Sequence, residues 1–280
     1  MTDLRTVKGR PDLETDGFTY VTNRKVAGLE VSDTLTEEDI KILIDDSIQL
    51  AKELTGAKVA IPFFPITRHN TAGETEDTFH EVHSDYTLEF VKEAINMYNG
   101  FVQVGPSPPS VDPNDIDEFN KLVKAGERAL LLNVWRPIRT VESVPLGLVS
   151  WKSVEPTKNM WPHEYCAERK GYKRQYWTYN SKHKWFYTSN QEPEEVYVML
   201  QHENSGIDGH GVHVPHVAFH HPETKEGAAG RFSFDIRLAL AGVNPKIEPS
   251  LDFSKVAVPR FYIVLRTRAF DQAENSPGTQ

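Results

Sequence analysis

The sequence predicts a mainly β fold, one barrel or sandwich with helices around it. Three observations predict it. Strand-patterned apolar runs recur along most of the chain. One of them, Ala129–Trp135 (ALLLNVW), is continuous and reads as a buried central strand. Another, Arg231–Ala241 (RFSFDIRLALA), alternates strictly at its start, with Phe232, Phe234 and Ile236 on one face and Arg231, Ser233, Asp235 and Arg237 on the other. At 280 residues the chain can bury a substantial core as one domain. Its polar ends, residues 1–17 and 271–280, are expected to be loose arms.

In chain order, Phe18–Val26 is a short strand-like run. Thr34–Leu54 is the clearest helix: Thr34 and Glu37 match a capping box, Ile40, Leu43, Ile44, Ile48 and Ala51 share a face, and Gly56 ends it. Val59–Phe64 reads as a strand and Arg68–Glu76 as a polar loop. Helical spacing of Leu88, Val91, Ala94, Ile95 and Tyr98 then runs to Gly100. Gly105–Asn114 is a Pro-rich loop, Ile116–Lys124 a short helix, and Pro137 closes the central strand. Gln175–Tyr179 and Lys184–Thr188 look like two short strands about a turn, Pro193 and Glu194 begin a helical turn, and Val196–Gln201 and Val256–Arg266 are further strands.

Composition narrows the function. Lys plus Arg number 31 against 40 for Asp plus Glu, a net charge of −9 without a basic cluster, which argues against nucleic acid as a partner. The one cysteine, Cys166, leaves no internal disulfide and no thiolate-rich zinc site and suits a reducing compartment. The polar start is no signal peptide, and no apolar run nears the roughly 18 residues of a membrane span. A soluble, cytoplasmic protein is expected. An exposed sheet edge or the first helix could mediate a homodimer.

The chemistry starts at Phe79–Thr87 (FHEVHSDYT). On a strand His83 and Asp85 point to the same face, so one imidazole and one carboxylate converge. Five histidines fall within His210–His221 (HGVHVPHVAFHH), where Pro215 and the Val/Phe content argue against a helix. His216, between Pro215 and Val217, looks placed; His220 and His221 read as an exposed turn, and His210 and His213 as surface loop. Two imidazoles and a carboxylate form the facial triad that leaves positions open on a non-haem Fe(II). Such an iron can take a keto acid at two positions and dioxygen at a third. Arg231 with Ser233 two residues on would clamp the keto acid's far carboxylate, a planar fork plus a short donor. HxD alone is weak; HxD, a long gap, PH on a β-run and RxS on the next strand are considerably stronger.

The motifs VHSDYT (Val82–Thr87), LLNVWRPI (Leu131–Ile138), PLGLVSWKSV (Pro145–Val154), WFYTSNQEPEEVYVM (Trp185–Met199), PHVAFHHP (Pro215–Pro222) and RFSFDIR (Arg231–Arg237) occur in that order. In them the chain resembles the fungal gibberellin desaturase-like hydroxylase/desaturase proteins of secondary metabolism, NVWRP being the most specific. The resemblance implies a double-stranded β-helix (jelly-roll, cupin-like) core and an Fe(II)/2-oxoglutarate-dependent dioxygenase that hydroxylates or desaturates an unactivated C–H bond of a small-molecule natural product. It implies His83, Asp85 and His216 as metal ligands and Arg231 and Ser233 as co-substrate clamp, and Arg136, which matches the family's WRP arginine, is assigned with them to the cofactor-binding group, at a pocket position near co-substrate or substrate. Tyr86, Trp135, Trp185, Tyr187 and Arg237 are candidate pocket walls. Asn204–Ser205 and Asp235 depart from the family's pattern without touching the triad. Two other readings stay open at this point, an iron oxidase that uses no keto acid and a non-catalytic jelly-roll binding protein.

Overall fold

The computed structural model describes residues 1–29, 34–69, 80–87, 91, 111–162, 168–169, 172–204 and 213–244. The elements in order are β1 (Thr2–Asp3), β2 (Phe18–Val21), α1 (Glu37–Thr55), β3 (Val59–His69), β4 (His83–Ser84), α2 (Pro113–Lys124), β5 (Ala129–Pro137), β6 (Leu146–Val149), α3 (Pro156–Asn159), β7 (Glu168–Arg169), β8 (Tyr172–Lys173), β9 (Gln175–Tyr176), β10 (Trp185–Tyr187), β11 (Val196–Glu203), β12 (His216–Ala218) and β13 (Phe232–Ala241). One sheet runs β2-β11-β5-β13-β3 and is antiparallel throughout. The other, of shorter strands, runs β1-β10-β6-β12-β4-β9, and β7 pairs with β8 apart from both. These are the two sheets of the expected jelly roll.

β5 and β13 carry the first sheet: both are mainly apolar, and every residue of both is buried, including the polar Asn133, Arg136, Ser233, Asp235 and Arg237. Alternation splits β5 between two environments. Asn133 and Trp135 face the cavity between the sheets. Leu130, Leu132 and Val134 belong to the core that includes Leu43, Leu50 and Ala51 of α1. A second apolar cluster joins Ala129, Leu131, Ala239 and Ala241 to Phe119 and Leu122 of α2.

α1 starts later than the sequence suggests. Thr36, not Thr34, is the N-cap, and Asp39, not Glu37, completes the capping box. Gly56 ends the helix as expected, in the left-handed region at φ +66°. β3 also continues past Phe64 to His69, taking in the first two residues of the expected loop. Pro62 and Pro65 interrupt its pattern without ending it, because β3 is an edge strand and its outer N–H groups need no partner.

Three expectations are corrected. Residues 1–17 are not loose: β1 pairs with β10, Leu4 and Leu13 are buried, and Arg5 bonds Glu195 at 2.6 Å. β9 and β10 are not hairpin partners, since β9 pairs with β4 and β10 with β6. Pro193 and Glu194 form a turn rather than a start of helix. The helix expected after Thr87, most of the Pro-rich loop, Cys166, His210, the strand over 256–266 and the tail over 271–280 lie outside the described residues.

Candidate metal centre

Pairing of two short strands assembles the site. β12 lies against β4 with His216 opposite His83, and their rings are 4.5 Å apart between centroids. Asp85, two residues beyond His83, comes to the same point while Ser84 turns away to accept from the Trp177 indole at 2.8 Å. One ligand atom from each of His83, Asp85 and His216 lies within 4.8 Å of the other two, and all three residues are buried. Among the described residues this is the one group of such side chains that could hold a metal ion.

The donor set fits a divalent metal in protonation as well as spacing. Nδ1 of His83 is 2.8 Å from the Glu81 carbonyl and Nδ1 of His216 is 3.0 Å from the Val214 carbonyl. A carbonyl only accepts, so each Nδ1 carries the hydrogen and Nε2 is the basic nitrogen. Burial lowers the pKa of both imidazoles, well below the ordinary value for His83, where the neighbouring His216 adds to the effect. Burial alone would raise the Asp85 carboxyl. Arg237, with the two histidines, overcomes this and holds it well below the usual carboxylate range. Neutral imidazoles and an ionised carboxylate are the forms that bind metal.

The first sheet supports Asp85 from the opposite side. Arg237 donates to both carboxylate oxygens, at 2.9 and 3.2 Å, and Asn133 Nδ2 donates to Oδ2 at 3.0 Å. The Asp85 N–H donates to Gln201 Oε1 at 3.2 Å, where β11 slips register between Leu200 and His202. Arg237 also bonds Asp235, which accepts from Arg68 Nε at 2.9 Å. A cavity of about 30 Å³ opens onto the triad, lined among others by Trp135, Met199, Arg231 and Arg68.

Arg231 is buried on this cavity. Its Nη1 donates to the Val144 carbonyl at 3.2 Å and its guanidinium lies 5.7 Å from the Trp135 ring centroid. Its Nε and the Ser233 hydroxyl are buried with no hydrogen-bond partner among the described residues. Buried polar groups are seldom left so, and an orphaned guanidinium N–H beside an orphaned hydroxyl suits an anion.

Trp135 and Arg237 line the cavity, Arg237 as the partner of Asp85 rather than as an open cation. Four other assignments are corrected. Arg136 has even parity on β5, so it faces α1 and bonds Asp46 at 2.5 Å. Tyr86 packs in the apolar cluster around Phe119. Trp185 packs against the main core, and the Tyr187 hydroxyl meets His221 Nε2 at 3.0 Å. None of the four lines the cavity. His213 is not a surface residue; it is buried with its Nε2 3.4 Å from His202 Nδ1. Asn133, Gln201, Asp235 and Arg68 were missed as supporting groups; of these only Asp235, on the polar face of the alternating β13, carried a signal in the sequence.

A two-sheet β core with two imidazoles and one carboxylate on open space is the arrangement of a non-haem iron oxygenase. The chain belongs to the family described as Oxidoreductase/YMDC permease-like domain, which it matches over residues 1–241. It is 25% identical to the hydroxylase/desaturase efuI of Hormonema carpetanum, over 78% of this chain and 75% of that protein. It is 26% identical to the alpha-ketoglutarate-dependent dioxygenase phiK of Fungal sp. (strain ATCC 74256), over 80% and 83%. To the gibberellin cluster GA4 desaturase of Gibberella fujikuroi (strain CBS 195.34 / IMI 58289 / NRRL A-6831) it is 26% identical, over 81% and 82%. The resemblance to fungal hydroxylase/desaturase proteins is thus borne out. Among solved structures, the iron and alpha-ketoglutarate-dependent endoperoxidase NvfI shares the fold, with a TM-score of 0.62 at 24% identity over 83% of this chain and 81% of that one.

Proposed function

We propose that this protein is a non-haem Fe(II)- and 2-oxoglutarate-dependent oxygenase, one domain acting in the cytoplasm, that hydroxylates or desaturates an unactivated C–H bond of a small natural product. The observation that carries the reading is the convergence of His83, Asp85 and His216 on one buried point beside the orphaned Arg231 and Ser233. In this reading the two imidazole Nε2 atoms and one Asp85 oxygen hold Fe(II), which supplies activation of dioxygen when 2-oxoglutarate is bound. Arg231 and Ser233 take the far carboxylate of 2-oxoglutarate, fixing which way the keto acid enters. Arg237 and Asn133 keep Asp85 ionised and aimed. The apolar walls, Leu146, Met199 and Ala218, exclude water from the reacting carbon. Succinate and CO2 leave with the oxidised product.

The test is oxygen-dependent conversion of 2-oxoglutarate to succinate by iron-loaded protein, alongside metal analysis of His83→Ala, Asp85→Ala and His216→Ala. Succinate from the wild type and loss of iron from the variants are expected. Iron retained by all three variants would overturn the ligand set, and bound iron without succinate would favour an oxidase that draws all its electrons from substrate.

A further inference from the structure

We propose that Arg68 is a second anchor for the carboxylate taken by Arg231 and Ser233, so that the site selects keto acids bearing two carboxylates over those bearing one. This rests on the oxygenase reading above and deepens it. The first ground is register. Arg68 is the cross-strand partner of Ser233 in the antiparallel pair of β3 and β13. Side chains so opposed stand on the same face with Cβ atoms about 4.5–5.5 Å apart. An anion on the Ser233 hydroxyl is therefore within reach of the Arg68 fork, and both arginines line the same cavity.

The second ground is how Arg68 comes to face that way. Val59, Ile61 and Phe63 of β3 share the inner face with Arg237, Ala239 and Ala241, so an unbroken strand would turn the even-numbered Arg68 outward. The register instead slips by one residue between the pairs Phe63–Arg237 and Ile66–Asp235, and Phe64 there has φ +52°. A non-glycine residue at positive φ is strained, and bulges beside active sites re-aim side chains. Here the side chain re-aimed into the cavity is Arg68.

Charge is the third ground. The cavity walls hold three arginines, Arg68, Arg231 and Arg237, against two aspartates, Asp85 and Asp235. A divalent ion on the triad would add to the positive excess. Burial, and after it the positive charge of Arg68, lower the pKa of Arg231 to about 10. A carboxylate between the two guanidiniums relieves that repulsion, and Asp235 holds Arg68 in position at 2.9 Å until it arrives.

The test is anaerobic calorimetric titration of iron-loaded protein with 2-oxoglutarate and, separately, with pyruvate, which has no second carboxylate. Arg68→Gln is expected to weaken 2-oxoglutarate binding roughly 10- to 100-fold, the size of a lost charge-assisted hydrogen bond, with pyruvate binding and iron content unchanged. Arg68→Lys, which keeps charge without the fork, is expected to fall between and carries the test if the glutamine variant does not fold. Wild-type affinity for 2-oxoglutarate in the variant titrated, or equal weakening toward both keto acids, overturns the role of Arg68 alone. A wild-type protein that binds iron but no 2-oxoglutarate overturns the oxygenase reading and this role with it.

Discussion

Arg237 grips Asp85 with one edge of its guanidinium, Nη2 to Oδ1 at 2.9 Å and Nε to Oδ2 at 3.2 Å, and turns Nη1 to Asp235. The pair ties the short-strand sheet that bears the histidines to β13 of the other sheet. Breaking a buried pair by removing one partner is strongly destabilising, because the other charge stays buried. Arg237→Met leaves two aspartates in that position and is expected to cost about 3–5 kcal/mol in the metal-free protein. A urea midpoint within the roughly 0.5 kcal/mol typical of surface changes would contradict this.

Arg136 offers the contrast of an equally buried arginine on the wrong face for the cavity. Asp46 of α1 is its partner at 2.5 Å, and Arg24 shares that carboxylate at 2.9 Å. Asp46→Asn should therefore destabilise the fold by several kcal/mol, about 3–5 by the same rule. Affinity for 2-oxoglutarate should stay at the wild-type value. A tenfold change in that affinity without a change in melting would place Arg136 in the site after all.

The stability of the metal-free protein should fall with acid in two steps. Burial lowers the pKa of His83 and His216 below the 6.5 of an unfolded histidine. Below that pH the unfolded chain therefore binds more protons than the folded one, and stability drops as pH falls through the window beneath 6.5. Asp85, also lowered, adds a second loss below the ordinary carboxylate range. Urea midpoints measured from pH 7.5 to 5 should decline on the acid side; a flat or rising profile would show that the imidazoles are not held neutral.

Ser233 and Arg231 should affect the co-substrate and not the metal. Ser233→Ala and Arg231→Lys are each expected to weaken 2-oxoglutarate binding about tenfold, since one loses a donor and the other the planar fork. Iron content should remain that of the wild type. Loss of iron in either variant would mean that these residues support the triad instead.

The triad was legible in the sequence because each part has a local signature. His83 and Asp85 are two apart on a strand, and His216 follows a proline that excludes a helix. Arg231 and Ser233 follow from the alternation of β13 in the same way, and the central strand from its unbroken apolar run. What could not be read depends on pairing between distant strands. Nothing near Asp46 announces that it will meet Arg136, although the parity that puts Trp135 in the cavity already sends Arg136 outward. Arg68 was hidden twice, by prolines that make β3 look finished and by a register slip that reverses its facing. His213 looked like surface loop because its burial depends on His202 of β11 and on Ser84, whose hydroxyl donates to the His213 carbonyl at 3.0 Å.

The most direct measurement is an anaerobic titration of metal-free protein with Fe(II) and then 2-oxoglutarate, followed in the visible spectrum. One iron per chain and the weak charge-transfer band of a chelated keto acid are predicted for the wild type. His83→Ala, Asp85→Ala and His216→Ala should lose the iron and the band, while Arg231→Lys keeps the iron and needs more keto acid. Iron bound at full stoichiometry without the band, or a band that survives loss of any one of the three ligands, would contradict the account.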